Sequence, residues 1–175
     1  YDPSEINLKS ALDRVCAEAQ AEVEKGKKIL VLSNRNISET RVPIPSLLTI
    51  GAVHQHLVKE NIRTKTGLIA EAGDIWETHH FATAVGYGVS AVYPFKAYDC
   101  IADLYADGKL DQGTSLNTYY ENFAHGIGSG LLKILSKMGI STLQSYQSAQ
   151  IFECVGLGSE VVNKCFKGTV SRLDG

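Results

Sequence analysis

The sequence lacks any apolar run that approaches the roughly 20 consecutive residues needed for a membrane-spanning helix. Its first residues also lack the basic, apolar and small-residue regions of a signal peptide. These two absences predict a cytoplasmic protein without membrane contact. No basic run is present either, and the formal net charge is -2. The sequence therefore gives no electrostatic reason to expect nucleic acid as a partner.

Cysteine and methionine are scarce. The four cysteines, Cys16, Cys100, Cys154 and Cys165, are far apart and lack the spacing of a zinc knuckle or a disulfide framework. They fall in predicted helices, and we expect buried, reduced thiols, as in a cytosolic protein. The only methionine is Met138, and the chain begins with a tyrosine. This predicts an excised or processed piece of a longer chain.

The length and hydrophobic content of the chain are sufficient for one hydrophobic core of ordinary size. The chain has 175 residues, of which 44% are hydrophobic and 21% charged, so we expect a single domain over residues 1–175.

The most informative stretch is 131–150, where the hydrophobic period changes. Before Gly139 apolar residues recur every three or four positions, which predicts a helix that stops at a left-handed glycine. These residues are Phe123, Ile127, Leu131, Ile134, Leu135 and Met138.

Short apolar runs bounded by turn residues alternate with helical patterns along the chain. The predicted strands are 29–33, 65–71, 90–93 and 141–146. The predicted helices are 2–26, 46–60, 74–86, 95–106, 118–138, 149–155 and 159–166. Capping boxes at Asp2, Asp74 and Thr118 would start three of the helices. We therefore expect an α/β fold of repeated β/α units with right-handed crossovers. Its mostly parallel sheet has about four strands, either half-barrel-like or open, with helices packed around it.

In such folds the functional groups collect at the carboxyl ends of the strands. The polar residues expected at this edge are Ser33, Asn34, Arg35, Glu71, Tyr93, Tyr146 and Gln147. An arginine and a glutamate from neighbouring strands can bind a carboxylate or pair with each other, and we favour the structural salt bridge.

Two histidine pairs invite a functional hypothesis. His79 and His80 are adjacent on a predicted helix and point about 100° apart, which argues against a shared metal ion. A histidine held by hydrogen bonds below the polar edge is the favoured interpretation. His54 and His56 lack the i, i+4 spacing of a zinc pair, and we expect both on the surface.

The segment GIGSG, with Gly126, Gly128 and Gly130, resembles a phosphate-binding loop only superficially. The dinucleotide motif needs its glycines directly after a strand, whereas this segment continues a helical pattern. Close helix packing through glycine is the better explanation. No catalytic constellation is visible, so we assign no catalytic, cofactor-binding or metal residue.

The stretch LLKILSKMGISTLQSYQSAQIFECVGL resembles a signature of the large subunit of glutamate synthase. Other segments resemble the same family, in the same order: ILVLSNRN, VPIPSLLTIGAVHQHLV, RTKTGLIAEAGDIWETHHFATAVGYGVSAVYPF and the terminal GTVSRLDG. Asn34 stands where the family more often has aspartate. The resemblance covers almost the whole chain from Ile29 onward, and it corresponds to the later part of the central domain.

The resemblance implies a place in a larger enzyme. Glutamate synthases hydrolyse glutamine in an amidotransferase domain and pass ammonia through a tunnel. They form glutamate from 2-oxoglutarate in a domain that holds FMN and an iron-sulfur cluster. This segment would join those domains and is expected to hold no cofactor and to be inactive alone. The parent enzyme would receive its electrons from a reductase subunit or from ferredoxin. The resemblance leaves open whether the reductant is NADPH, NADH or ferredoxin.

The polar residues that could line a rim or tunnel in this interpretation are Ser33, Arg35, Glu71, His79, His80, Lys137, Gln144 and Tyr146. Two alternatives remain at this point. One is a self-contained half-barrel oxidoreductase that binds flavin, with GIGSG as its only candidate phosphate site. The other is a non-catalytic interaction module, which predicts an exposed apolar face.

Overall fold

Strands and helices alternate along the first part of the chain, as the periodicity predicts. The computed structural model describes residues 1–173, so Asp174 and Gly175 of the GTVSRLDG segment lie outside the described residues. The strands are β1 (Ile29–Ser33), β2 (Gly67–Glu71), β3 (Ala91–Tyr93), β4 (Glu153–Cys154) and β5 (Val170–Ser171). The helices are α1 (Leu8–Glu24), α2 (Ser46–Lys59), α3 (Thr78–Gly86), α4 (Phe95–Ala106), α5 (Leu116–Met138), α6 (Leu143–Tyr146) and α7 (Ser159–Cys165). A short 3-10 turn, Arg63–Lys65, precedes β2.

The central sheet is parallel and has the order β1-β2-β3. This confirms the α/β class and the repeated β/α units, and the sheet does not close into a barrel within residues 1–173. The prediction of a four-stranded sheet is wrong, because β4 and β5 pair in a separate two-stranded parallel sheet. The region 149–155, predicted as a helix, contains β4, so Cys154 lies in a strand rather than in a helix.

The predicted strand at 141–146 is a short helix instead. Thr142 is in extended conformation, and its side-chain oxygen accepts a hydrogen bond from the backbone N–H of Ser145 at 3.3 Å, which starts α6. A threonine cap of this kind outweighs the apolar residues that favoured a strand. Gly139 does end α5 in the left-handed conformation, at φ 69°, as predicted.

Three helices begin at caps other than the predicted ones. The Asp2 side chain bonds to Ser4 in an isolated turn, and α1 starts after Asn7, whose side chain accepts from the N–H of Ser10 at 2.8 Å. Glu77 caps α3 in place of Asp74, and Ser115 caps α5 ahead of Thr118. Each predicted capping box lies close to the start of a helix, but a different side chain nearby caps that helix.

The two faces of the central sheet differ in burial. Leu30 and Leu32 of β1 and Leu68 and Ala70 of β2 turn toward the core, where α1 and α2 pack. The alternate residues lie on the second face, where Ile29 is 61% and Val31 57% exposed. An apolar sheet face is therefore left uncovered on the β1 side.

The long helix α5 packs along α3 and α4 with a half-buried stripe that includes Phe123, Ile127 and Leu131. Met138, predicted as part of this stripe, is half exposed.

Of the cysteines, Cys16, Cys154 and Cys165 are buried and Cys100 is exposed, and all four are free thiols. Among the described residues, no helix is both long and apolar enough to cross a membrane.

Candidate functional site

Three of the predicted site residues meet at the carboxyl end of the central sheet. The parallel register places Ser33 beside Glu71, and Glu71 beside Tyr93. Ser33 Oγ donates a hydrogen bond to Glu71 Oε2 at 2.5 Å, so one oxygen of the carboxylate is held by the neighbouring strand. We call Ser33, Arg35 and Glu71, together with Tyr93, the polar rim.

Arg35 completes the polar rim from the loop after β1. Its backbone N–H donates to Ser33 Oγ at 3.2 Å, and its Nη1 lies 3.4 Å from Glu71 Oε1. The guanidinium carbon lies 4.7 Å from the ring centre of Phe95 and 5.9 Å from that of Tyr93. Cation–π contact and ion pairing thus hold a half-exposed arginine in place. The predicted Arg–Glu pair is present.

Below the rim, Asn34 and Asp74 join three segments in a network that the sequence did not predict. The Asn34 side-chain amide donates to Asp74 Oδ1 and to Ser46 Oγ, each at 3.0 Å, and its oxygen accepts from the N–H of Gly73 at 2.9 Å. Asp74 Oδ2 accepts from the N–H of Ser46 at 2.9 Å. Asp74 therefore caps the start of α2, not the helix that follows it, and a carboxylate suits that position.

His79 and His80 form a separate exposed cluster with Glu77. Each ring has a nitrogen 3.5 Å from a Glu77 carboxylate oxygen. The backbone N–H of His79, the two imidazoles and the N–H of His80 together lower the pKa of Glu77. The backbone N–H of Trp76 donates to His80 Nδ1 at 3.4 Å. His80 is thus held by a hydrogen bond, as expected, although no hydrogen bond or ion pair among the described residues joins the histidines to Arg35 or Glu71.

The remaining predicted rim residues lie elsewhere. Lys137 is exposed in the last turn of α5, and Gln144 is exposed on α6. Tyr146 is only 1% exposed and belongs to the core. The predicted position of Tyr146 at the sheet edge was wrong because it relied on a fourth strand that is in fact α6.

The glycines of GIGSG lie inside α5, so the segment is not a phosphate-binding loop. A Cβ atom at Gly130 would lie 2.6 Å from Thr78 Cγ2, whereas Gly126 and Gly128 have open space around them. The interpretation as a close helix contact is confirmed for Gly130, where α5 crosses the start of α3.

The opposite, amino end of the sheet contains a buried cluster that the sequence did not predict. Arg63 Nη1 donates to the carbonyl of Thr66, and Nη2 donates to the carbonyl of Gly88, both at 2.6 Å. Its Nε donates to His54 Nδ1 at 3.0 Å. His54 is only 8% exposed, so its predicted surface position was wrong. Burial, with a smaller contribution from the charge of Arg63, lowers the pKa of His54 to about 4.

A cavity of about 440 Å³ lies beside His54. It is bounded by α2, by the end of α3, by the segment after α6 and by the turn at 167–169. Among its lining residues are Tyr87, Tyr146, Ser148, Phe152 and Lys167. Ser148 Oγ lies 3.3 Å from His54 Nε2, which connects the cavity wall to the buried cluster.

The family model of the glutamate synthase central domain matches residues 1–158 of this sequence. The chain belongs to the glutamate synthase central domain family. The polar rim and the buried cluster both fall within the matched residues.

Individual glutamate synthases are similar over nearly the whole chain. Glutamate synthase [NADH] of Schizosaccharomyces pombe is 46% identical over 95% of the chain, which spans 8% of that protein. Ferredoxin-dependent glutamate synthase 2 of Synechocystis sp. is 43% identical over 100% of the chain, or 12% of that protein. The large chain of glutamate synthase [NADPH] of Bacillus subtilis is 40% identical over 97% of the chain, or 11% of that protein.

The chain thus spans about a tenth of each glutamate synthase that it matches. The three relatives are named for three different reductants, NADH, ferredoxin and NADPH. Similarity across this central domain segment therefore does not distinguish between reductants.

Proposed function

We propose that the chain is part of a glutamate synthase large subunit, which converts glutamine, 2-oxoglutarate and a reductant into two molecules of glutamate. Within that polypeptide the chain holds an amidotransferase domain and a flavin-binding domain at a fixed separation. Its polar rim flanks the path that ammonia takes between them. The family match and the glutamate synthase relatives support the parent enzyme.

The observation that carries the connecting role is the position of the polar rim at the end of an uncovered apolar surface. Ser33, Glu71 and Tyr93 share the second face of the sheet with the exposed side chains of Ile29 and Val31. Exposed apolar surface rimmed by polar groups is typical of a surface that another domain covers. When a domain covers this face, the rim lies at the edge of the contact.

The chemistry of the rim suits a small polar molecule such as ammonia. Glu71 accepts hydrogen bonds from Ser33, and its second oxygen lies near Arg35, but a carboxylate has lone pairs for further donors. Ammonia can donate to Glu71 and can accept from Arg35, which only donates. The fixed partners of both side chains hold these groups in place, as a tunnel wall requires.

We propose that the FMN and iron-sulfur sites of the parent enzyme lie in other parts of the polypeptide, as the resemblance to the family implies. Within residues 1–173 no group of three His, Cys, Asp or Glu side chains is arranged to hold a metal ion. The candidate phosphate segment GIGSG is helical, with its backbone engaged in α5.

The test uses the intact glutamate synthase that contains this chain, with the variants Glu71→Gln, Arg35→Met and the double variant. The measured quantity is glutamine hydrolysed per pair of electrons taken from the reductant, that is, per NADH or NADPH or per two ferredoxins, and it is one when the two sites are coupled. We expect several glutamines to be hydrolysed per electron pair in the single variants. We expect little further change in the double variant, because both residues act in one contact.

A second Arg–Glu pair provides the matched control. Arg172 Nη2 lies 3.0 Å from Glu153 Oε1, outside the central sheet, and both side chains are exposed. Arg172→Met and Glu153→Gln remove the same charges without touching the rim, and we expect a ratio of one. A ratio of one in all three rim variants would contradict the role of the rim.

A further inference from the structure

The β1 edge of the central sheet is open. Among residues 1–173, β1 has a neighbouring strand on one side only, which is β2. The N–H of Asn34 donates to the carbonyl of Glu71 at 3.1 Å, and the carbonyl of Lys28 accepts from the N–H of Gly67 at 2.8 Å. Alternate residues of a strand direct their backbone groups to opposite sides, so the even-numbered residues bond to β2. The backbone groups that point away from β2 are those of Ile29, Val31 and Ser33.

These outward-pointing backbone groups have no partner. Within the described part of the chain, no hydrogen bond outside the pairing with β2 involves the backbone of Ile29, Val31 or Ser33. A row of unpaired groups at a sheet edge is a template for another strand, and proteins usually protect it with proline, lysine or a bulge. The strand sequence ILVLS contains no proline and no charge, and its pairing with β2 is regular. The composition of β1 is therefore that of an interior strand of a parallel sheet.

A cavity of about 390 Å³ lies along the same edge. Leu32, whose side chain faces the core, and Val31, whose side chain faces the other side of the sheet, both line it, so the cavity runs beside the strand. Protein interiors are closely packed and rarely leave a space of this size beside a core. The lining on the core side is apolar and includes Val15, Ala19, Leu30, Leu32, Ile44 and Ile50.

Helix α1 forms one wall of this cavity without a strand beneath it. The helix α2 rests on β1 and β2, and α1 packs against α2. Val15 and Ala19 of α1 line the cavity, at the position where a strand next to β1 would lie. In a sheet built from repeated β/α units, each helix buries its apolar face on the strands beside it. Within residues 1–173 the strand that α1 would cover is missing.

We propose that a further strand of the parent polypeptide pairs with β1 and fills this cavity. The inference rests on the proposed function, in which most of the polypeptide lies outside this chain, since the chain spans about a tenth of its relatives. The added strand is apolar on both faces, because one face lies against α1 and the other continues the exposed surface of Ile29 and Val31. One end of it lies beside Ser33, so its residues there border the polar rim.

Hydrogen exchange of the intact protein that contains this chain tests the pairing. Mass spectrometry with electron-transfer fragmentation measures the exchange of single backbone amides. We expect the amides of Val31 and Ser33 to exchange about a hundredfold more slowly than the exposed loop amides of Glu39 and Thr40. In an open edge only Leu30 and Leu32 would be protected, because their amides alone bond to β2.

Val31→Pro separates backbone pairing from simple coverage of the sheet. The change removes an N–H that β2 does not use, and proline is tolerated where the N–H of an edge strand faces solvent. If a strand is added there, the proline ring displaces it, and we expect the Ser33 amide to exchange at least about tenfold faster than in the unmodified protein. Val31→Thr keeps the N–H and nearly the same side-chain shape, and it is the matched control in which Ser33 should stay protected.

Two results would overturn the proposal. One is exchange of the Val31 and Ser33 amides in the unmodified protein as fast as that of Glu39 and Thr40, which needs no variant to fold. The other is a Ser33 amide that remains equally protected in Val31→Pro and in Val31→Thr, since the protection would then come from coverage without strand pairing. Neither measurement depends on how glutamine hydrolysis is coupled to glutamate formation. Failure here therefore leaves the proposed role of the polar rim to its own test.

Discussion

The two ends of the central parallel sheet each hold an arginine, and the arginines are used differently. At the carboxyl end Arg35 is half exposed and faces a carboxylate and two aromatic rings. At the amino end Arg63 is partly buried and donates to two backbone carbonyls and a neutral histidine. An exposed ion pair contributes about 0–1 kcal/mol, whereas buried carbonyls that lose a charged donor are costly. We therefore expect the arginine at the amino end to contribute more to the stability of the fold than the arginine at the carboxyl end.

The largest expected difference between the two ends concerns glycine. Gly88 at the amino end has φ 113°, and a Cβ atom there would overlap the His54 ring. We expect Gly88→Ala to lower the free energy of unfolding by about 4 kcal/mol, from backbone strain and from displacement of His54. Urea unfolding followed by circular dichroism measures this change.

The matched control is Gly73→Ala at the carboxyl end. Gly73 has no positive φ, and a Cβ atom would lie 3.0 Å from Lys96 Cγ and Phe95 Cζ. A small shift of the flexible lysine relieves part of this contact, so we expect a cost of about 1 kcal/mol. Equal losses in the two variants would remove the distinction between the two ends.

The arginines themselves give the next largest contrast. Arg63→Met leaves the carbonyls of Thr66 and Gly88 without their donor, and we expect a loss of about 3 kcal/mol in the free energy of unfolding. Arg35→Met removes a partly exposed ion pair, and we expect a loss below about 1 kcal/mol. Both are measured by urea unfolding at neutral pH. A larger loss for Arg35→Met than for Arg63→Met would reverse the assignment of the two ends.

The dependence of stability on pH provides a smaller contrast. The pKa of His54 is about 4 in the folded chain and about 6.5 in an unfolded one, so the unfolded state binds more protons between these values. Stability is therefore fully present above pH 6.5 and falls as the pH drops toward 4. We expect a loss of about 2 kcal/mol from this residue between pH 7 and pH 5, measured by urea unfolding at each pH.

His54→Gln should flatten this part of the pH profile, since glutamine can still accept from Arg63 but does not titrate. His125→Gln, on the exposed side of α5, is the control and should leave the profile unchanged. A profile that is the same with and without His54 would show that the histidine is not held neutral by its buried position.

Hydrophobic period predicted the first three strands and most of the helices, because burial of one face decides those elements. The predictions failed where a single polar side chain decides the structure. Thr142 starts a helix that the apolar residues around it do not indicate, and this error placed Tyr146 at the wrong end of the molecule. The cap of a helix is the side chain that hydrogen-bonds its free backbone N–H groups. Where several polar residues lie nearby, sequence spacing does not show which of them takes this role.

The site was predictable in part. Ser33, Arg35 and Glu71 were found because they follow strands whose ends must meet in a parallel sheet. A signal for His54 was available, because it shares the helical stripe of Ile50, Val53 and Leu57. Arg63 carries no such signal, since two of its three partners are backbone carbonyls that any residue supplies.

The contact of Asp74 with Ser46 has a consequence for folding. The carboxylate that caps α2 follows β2, 28 residues along the chain from the amide it binds. The first turn of α2 therefore lacks this cap until β2 has docked beside β1 and Asn34 has engaged Asp74 and Gly73. We therefore expect the start of the helix and the edge of the sheet to form and melt together, because the cap of the helix comes from the loop after β2.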